Sequence, residues 1–514
     1  MSKTIIIIGA GLAGLSAALQ AAENGCNVKL VSSLPSERAQ SVMAEGGINA
    51  ALNTKDENDS PEEHFTDTIK AACGLADPNA VWGMTQAAPE LVHWLLKRGV
   101  KFNMSGYNDV DLRNFGGQKK KRTAFAQSDT GKQIMTAMID AIRRKEASGM
   151  VERFSHHSFL TLRLCGNICC GCVIRDEYSQ ETVELPGDAV IVATGGMHGL
   201  FGNTTGSLSN TGEVTSELFR LGVPLANGEM IQYHPTTVKC GGKRMLISEA
   251  ARGEGGRLFA MKDGKQWYFM EEKYPELGNL MPRDITAREI WKVSHESEVF
   301  LDMTEISEEI ISNKLSGLAD DCMTYLHKDI RKEPVSVLPG VHYFMGGILV
   351  DEQHRTPIQN LCAAGECCAQ YHGANRLGGN SLLGALYGGR IAAKSACEQA
   401  DVVDLSCATQ IDFPPASQIS EIKQLNKVMQ ETMGVVRNEN TLLNGIQTVQ
   451  ALIGNLPLLG MAVLKSALAR KESRGAHWRE DYPKSNDDDY LKTTVARFDG
   501  KQIQISFVPV PERR

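Results

Sequence analysis

The segment His372-Gly-Ala-Asn-Arg376-Leu-Gly-Gly-Asn380-Ser381-Leu382 sets a histidine and an arginine on a tight glycine turn, just ahead of a long run of small and apolar residues. That arrangement suits a loop that aims a guanidinium at a carboxylate, with the N-terminus of the next helix facing an anion or a polar ring edge. Other candidate cations are scattered along the chain. His234 lies in Gln232-Tyr-His-Pro-Thr236, His342 in Val341-His-Tyr-Phe-Met, and Arg283 in Met281-Pro-Arg-Asp. Ser248-Glu249-Ala-Ala-Arg252 adds a hydroxyl, a carboxylate and a further arginine. Each has an ordinary reading when taken alone. A histidine before proline is a common loop residue, and an Arg-Asp pair is commonly a surface ion pair or a helix cap.

The elements that must position these groups begin at the N-terminus. Ile5 to Ile8 is a continuous β-branched run, the mark of a buried parallel strand. Gly9-Ala-Gly11-Leu-Ala-Gly14 follows, then an Ala-rich helix from Leu15 to about Glu23 and a second strand from Asn27 to Val31. In this context Gly9 allows the tight turn, Gly11 lets the backbone approach a pyrophosphate, and Gly14 lets helix and strand pack closely. The second strand ends in Ser32-Ser33, not in the acid that usually holds an adenosine ribose. Asp188 to Val192 reads as another buried strand, running into the small-residue turn Ala193-Thr194-Gly195-Gly196.

A chain of 514 residues is expected to form roughly two to four domains. Its formal charge of -7 gives no reason to expect nucleic acid. No apolar run reaches the roughly 18 residues of a membrane span. The chain enters a strand almost at once, with no signal-peptide pattern before it, so a cytoplasmic location is expected. Thirteen scattered cysteines fit reduced thiols better than a disulfide scaffold. Cys165, Cys169, Cys170 and Cys172 fall on a hairpin around Gly166-Asn167. Residues 170 and 172 would share one face and 169 would point the other way, so no metal is assigned to them. The basic run at 118–122 reads as a solvated loop, with a partner-facing patch as the alternative.

Taken together, in order and spacing, these segments resemble the flavoprotein subunits of fumarate reductase and succinate dehydrogenase, with L-aspartate oxidase as a cousin. The resemblance runs from the first strand to nearly the last residue. It implies FAD as the cofactor, since such flavoproteins place a serine where Ser32 stands and carry an Ala-Thr-Gly-Gly segment like that at 193–196. Glu366 resembles the family's flavin-ribityl contact, and Asn380, Ser381 and Leu382 resemble its contacts to the flavin ring. Members that oxidise succinate bond a histidine covalently to the flavin. In Arg38-Ala-Gln40-Ser41-Val-Met-Ala-Glu45-Gly46-Gly47 that position is Gln40, so non-covalent FAD and a bias toward fumarate reduction are expected.

On the same resemblance His234, Ser248, His342 and Arg376 would bind the dicarboxylate. Arg283 would deliver the proton, fed through Glu249 and Arg252, and flavin N5 the hydride. An arginine is a poor acid unless a carbanion develops beside it and a carboxylate relay refills it. Aspartate oxidases carry a glutamate for the substrate ammonium in an Arg-Glu-Gly-Gly-like segment. Here the segment is Arg113-Asn-Phe115-Gly-Gly, and Phe115 offers no counter-charge. Fumarate or succinate is therefore favoured, with an L-aspartate oxidase-like enzyme as the alternative and a non-catalytic flavin electron carrier as a third reading. The wording around Ser60-Pro-Glu-Glu-His-Phe and Ser248-Glu249 resembles most the subgroup paired with a diheme membrane cytochrome.

The expected architecture is α/β. A Rossmann-like FAD-binding domain (1–232 and 341–412) is interrupted by an α+β capping domain (233–340). A C-terminal helical domain (416–480) and a tail (481–514) follow. Pro414-Pro415 would mark the linker, and Ile419 to Met433, Glu439 to Ile453 and Leu459 to Lys471 the helices. Ile503 to Val508 would form a short strand. Cap closure would exclude water and bring Arg283 in. An iron–sulfur protein subunit is the implied electron partner, with a membrane anchor or another donor beyond it.

Overall fold

The computed structural model describes residues 2–106, 109–399, 408–413 and 417–514. A five-stranded parallel sheet lies at its centre, in the order Leu361–Ala363, Ala189–Val192, Thr4–Ile8, Asn27–Ser32, Val151–Ser155. The isoleucine run is apolar on both faces because both faces are covered. Ile5 and Ile7 pack into a helical layer, while Ile6 and Ile8 pack toward the antiparallel sheet His157–Cys165, Ile168–Asp176, Thr182–Pro186.

The helical layer is built on two helices in backbone contact, Leu12–Glu23 and Asn380–Gln399. A Cβ on Gly389 would lie 2.2 Å from the Ala13 carbonyl oxygen, and Ser16 Oγ donates to the Leu386 carbonyl at 2.6 Å. Gly9, at φ +111°, makes the turn out of the first strand, and a Cβ on Gly14 would meet Gly9 O at 1.8 Å. The turn and close-packing roles expected of these two glycines are therefore sterically enforced.

A second core holds residues between 247 and 337, and Phe115 enters it from the body of the protein. Two antiparallel sheets carry this part, Lys243–Leu246, Ile231–Cys240, Leu338–Phe344 and Lys265–Trp267, Arg257–Lys262, Val299–Asp302, Val335–Ser336. Helices Ile419–Thr432, Glu439–Gln450 and Asn455–Ala469 form a third core with Leu200, Phe201 and Phe219. The last of them starts four residues before the expected Leu459. Pro457 sits in its first turn, where a missing N–H costs nothing. The strand expected near 503 is Ile503–Pro509. It pairs with Lys492–Phe498, which in turn pairs with Leu225–Ala226, so the C-terminal hairpin extends a sheet of the main body. Pro414-Pro415 lies outside the described residues.

Two expectations about cysteines need correction. The hairpin register runs from Arg163↔Gly171 to Leu164↔Cys169 and skips Cys170, a β-bulge. Cys169 therefore joins Cys172 in the core beneath the parallel sheet, and Cys170 Sγ points to the Arg163 carbonyl instead. Reduced thiols throughout are not found either. Cys165 is disulfide-bonded, while eleven cysteines among the described residues are free.

Candidate active site

A cavity of about 550 Å³ opens between the C-terminal edge of the parallel sheet and the 231–344 segment. Gly9, Gly11, Ser32, Gln40, Ser41, Glu45, Gly46, Gly47, Ala193, Thr194, Gly195, Glu366, Ser381 and Leu382 line one part of it. Phe115, His234, Ser248, Glu249, Arg283, His342 and Arg376 line the other. Three expected residues stand off the wall. Gly14 serves packing, and Arg252 lies behind Glu249. The Asn380 side chain is turned into a buried network with Asn49, His64 and Thr68.

The glycine-rich end fits a flavin dinucleotide. Ser32 Oγ and Glu45 Oε2 are buried and lack a hydrogen-bond partner among the described residues. Ser32 closes the second strand, where a ribose hydroxyl would be held. Burial, then Asp321, pushes the Glu45 carboxyl up to about 8, so at neutral pH it is a protonated group able to donate.

At the other end the local folding explains the geometry. Ser248 caps the short helix Glu249–Gly253, its Oγ accepting from Ala250 N at 3.4 Å. That places Glu249 and Arg252 three apart on one face, bridged at 3.2 Å. Arg283 opens the helix Arg283–Val293 directly after Pro282. Its Nε and Nη2 donate to Glu249 Oε2 at 2.8 and 2.6 Å, and its Nη1 donates to Gln232 Oε1 at 3.0 Å. Glu249 Oε1 also accepts from Gly116 N at 3.2 Å. Burial pushes the Glu249 carboxyl up, but Arg283 and Arg252 outweigh it and hold the group below its ordinary value.

The two histidines sit where strand pairing is irregular. The register between Ile231–Cys240 and Leu338–Phe344 shifts around Pro235 and passes over His342. Proline lacks the ladder N–H, which favours such a break. The rings meet edge to face with centroids 5.1 Å apart. His234 Nδ1 lies 3.0 Å from the Thr236 carbonyl oxygen and 3.3 Å from the Thr236 backbone N, so Thr236 holds the ring in place. Burial, then the charge of Arg283, holds both imidazoles well below their ordinary values, so both are neutral at pH 7.

Arg376 is 3% exposed, and its guanidinium lies over the Tyr343 ring at 4.3 Å. Its Nε has no hydrogen-bond partner among the described residues, and burial, then Arg283, pushes the guanidinium below its ordinary value. A buried guanidinium with no ion-pair partner within 4 Å among the described residues is suited to receive an anion.

The comparisons with known proteins agree with this geometry. Residues 4–382 match the family model described as FAD binding domain, and residues 453–513 match that described as Fumarate reductase flavoprotein C-term. The succinate dehydrogenase flavoprotein subunit of Bacillus subtilis is 38% identical over 100% of this chain and 98% of its own length. The chain belongs to the succinate dehydrogenase/fumarate reductase flavoprotein family. The 8-methylmenaquinol:fumarate reductase flavoprotein subunit of Wolinella succinogenes is 32% identical, over 100% of this chain and 92% of its own. A solved E. coli quinol fumarate reductase superposes with a TM-score of 0.90 at 28% identity, covering 99% of this chain and 97% of that one. This flavoprotein is thus an FAD-dependent oxidoreductase of the class acting on CH–CH groups. The alignment with the Bacillus relative spans 576 positions, so that relative carries segments this shorter chain lacks.

Some members of the flavoprotein's site escaped sequence reasoning. Gln232 accepts from Arg283 and donates to Asn375 Oδ1 at 3.0 Å and the Arg376 carbonyl at 2.8 Å, tying both arginines together. It lies two residues before His234 on a strand, and that period-two spacing was a usable signal. Tyr343 follows His342 directly. Asn49 and Gln118 had no signal, since their role depends on a turn more than 250 residues away in the chain.

Proposed function

We propose that this flavoprotein is the catalytic subunit interconverting fumarate and succinate, that it favours fumarate reduction, and that Arg283 is its proton donor. The observation that carries the reading is the pair of buried guanidinium groups on one cavity wall. Arg283 is neutralised by Glu249, while Arg376 has no acidic partner among the described residues. A small dicarboxylate completes that arrangement. One carboxylate would take the fork of Arg376, and the other the His234, His342 and Ser248 group. Phe115, 1% exposed and packed between Gly46 and Gly378, presents a flat apolar face and no charge for an ammonium.

Arg283 would protonate one carbon of the double bond. Its proton is replaced along Glu249 and Arg252, which already form a continuous bonded chain. FAD, when bound at the glycine-rich end, supplies the hydride chemistry. Gln40 lines the cavity but has no imidazole, which supports non-covalent FAD and the bias toward reduction. In this reading the FAD-binding body spans 1–232 and 341–412, residues 233–340 close over it, and 416–480 with 481–514 complete the fold. Electrons would reach FAD from an iron–sulfur protein subunit. The Wolinella relative is by its name linked to a menaquinol, and a membrane anchor or another donor would stand behind that subunit here. Among the described residues no helix is long and apolar enough to cross a membrane, which fits a peripheral place through partners.

The test is a ligand titration of FAD-loaded protein followed by flavin absorbance. Succinate should perturb the spectrum saturably and L-aspartate should not. A perturbation by aspartate alone would replace this reading with the oxidase.

A further inference from the structure

Behind the glycine turn that leads Arg376 into the helix Asn380–Gln399, buried amides hold the backbone. Asn49 Nδ2 and Gln118 Nε2 both donate to the Gly378 carbonyl, at 2.7 and 2.9 Å. Asn49 N–H donates to the Gly379 carbonyl at 3.1 Å. Asn49 Nδ2 also reaches Asn380 Oδ1 at 2.8 Å, and His64 Nε2 lies 2.9 Å from the same oxygen. Asn49 Oδ1 in turn accepts from Gln118 Nε2 at 3.0 Å and from Thr123 Oγ1 at 2.6 Å. All five of these side chains are buried.

The approach leaves no room for a side chain on the turn. Gly379 has φ +83°, and a Cβ there would lie 2.1 Å from Asn49 Oδ1. On the opposite side, a Cβ on Gly378 would stand 2.9 Å from both Glu249 Oε2 and the Phe115 ring. The turn is therefore pinned between the amides and the carboxylate that holds Arg283. Next along the chain, Ser381 and Leu382 line the cavity. They open a helix of 20 residues, so their N–H groups have no acceptor within it and favour negative charge.

We propose that Asn49, braced by Gln118, is a positioning residue that fixes the Gly378–Asn380 turn, so that the first amides of the following helix face the FAD site in one orientation and raise the reduction potential of bound FAD. This rests on the reading of the cavity as the FAD site of a dicarboxylate-reducing flavoprotein. Neither residue lines the cavity, so both act through the backbone they hold. A reduced flavin carries negative charge, and helix amides held toward it stabilise that form over the oxidised one.

The experiment uses FAD-loaded holoprotein with Asn49→Ala, Gln118→Met and the double variant. It records FAD affinity, thermal midpoint and, by spectroelectrochemistry, the potential of the flavin that stays bound. Each single change should weaken FAD binding by about tenfold, as expected when a buried carbonyl loses a donor. It should also shift the potential negative. The double variant should shift less than the sum of the singles, because both donors serve one carbonyl. Gln118→Met preserves side-chain bulk and keeps the test open if Asn49→Ala does not fold. A lowered thermal midpoint with an unmoved potential would mean a structural role only and overturn the proposal. The wild type is the control for the underlying reading. If it bound no FAD, the reading of the cavity would fall with the proposal, whereas normal wild-type FAD with unmoved variants removes the clamp alone.

Discussion

Glu249 receives Arg283 through both Nε and Nη2 on a single carboxylate oxygen, Oε2, while its other oxygen takes Gly116 N and Arg252. The carboxylate is thus shared between the cavity-lining Arg283 and two groups behind it, Gly116 N and Arg252. In the proposed mechanism this is the group that would return a proton to Arg283. Glu249→Gln keeps the shape and removes the charge. Fumarate turnover should fall by about 10²- to 10⁴-fold, the range for a lost acid–base partner, while FAD stays bound. Steady-state rates and the flavin-to-protein ratio on one preparation check this.

Arg283→Lys replaces a fork with a point charge, and one amine cannot serve Glu249 and Gln232 in the same geometry. The expected outcome is severe loss of turnover with a smaller effect on FAD content. Near-normal turnover in this variant would remove Arg283 from the mechanism.

Gln40 predicts the fate of the cofactor on denaturation. Acid precipitation should leave a colourless polypeptide with all flavin in the supernatant. Intact-mass measurement should give the mass of the unmodified chain, and a mass increase equal to FAD would contradict the assignment.

The buried histidines set a pH dependence. Burial holds His64 at about 3 and His354 at about 4, and holds His234, His342, His372 and His477 well below 6.5. In the unfolded chain each returns to about 6.5. Below that pH the unfolded state therefore binds protons that the folded state refuses, and stability falls as pH falls. Each histidine steepens the slope toward about 1.4 kcal/mol per pH unit. The urea midpoint should drop clearly between pH 7 and pH 5. Bound succinate should soften the drop by favouring the charged forms of His234 and His342. A flat midpoint would show that these rings are not desolvated in solution.

Much of this was legible because the responsible residues are local. Ile5–Ile8 with Gly9 and Gly14 states a buried strand, a turn and a packed helix in one stretch, and Arg376 stands on its glycine loop in plain sight. What was not legible depends on distant pairing. The buried partners of the Asn380 side chain, Asn49 and His64, lie more than 300 residues away in the chain. The bulge at Cys170 is visible only in the pairing of two strands, and a Cβ on the adjacent Gly171 would lie 2.2 Å from the Leu185 carbonyl oxygen of a third. The C-terminal hairpin read as a tail because its neighbour, Leu225–Ala226, is only two residues long and carries no strand signal of its own.

The central claim is the reaction itself. FAD-loaded protein should be mixed anaerobically with reduced viologen, fumarate added, and viologen oxidation followed. The same preparation is then given succinate and a dye acceptor. Fast viologen oxidation with slow succinate oxidation is the predicted result. No response to fumarate, with peroxide formed from L-aspartate in air, would contradict the account and place the oxidase chemistry at this site instead.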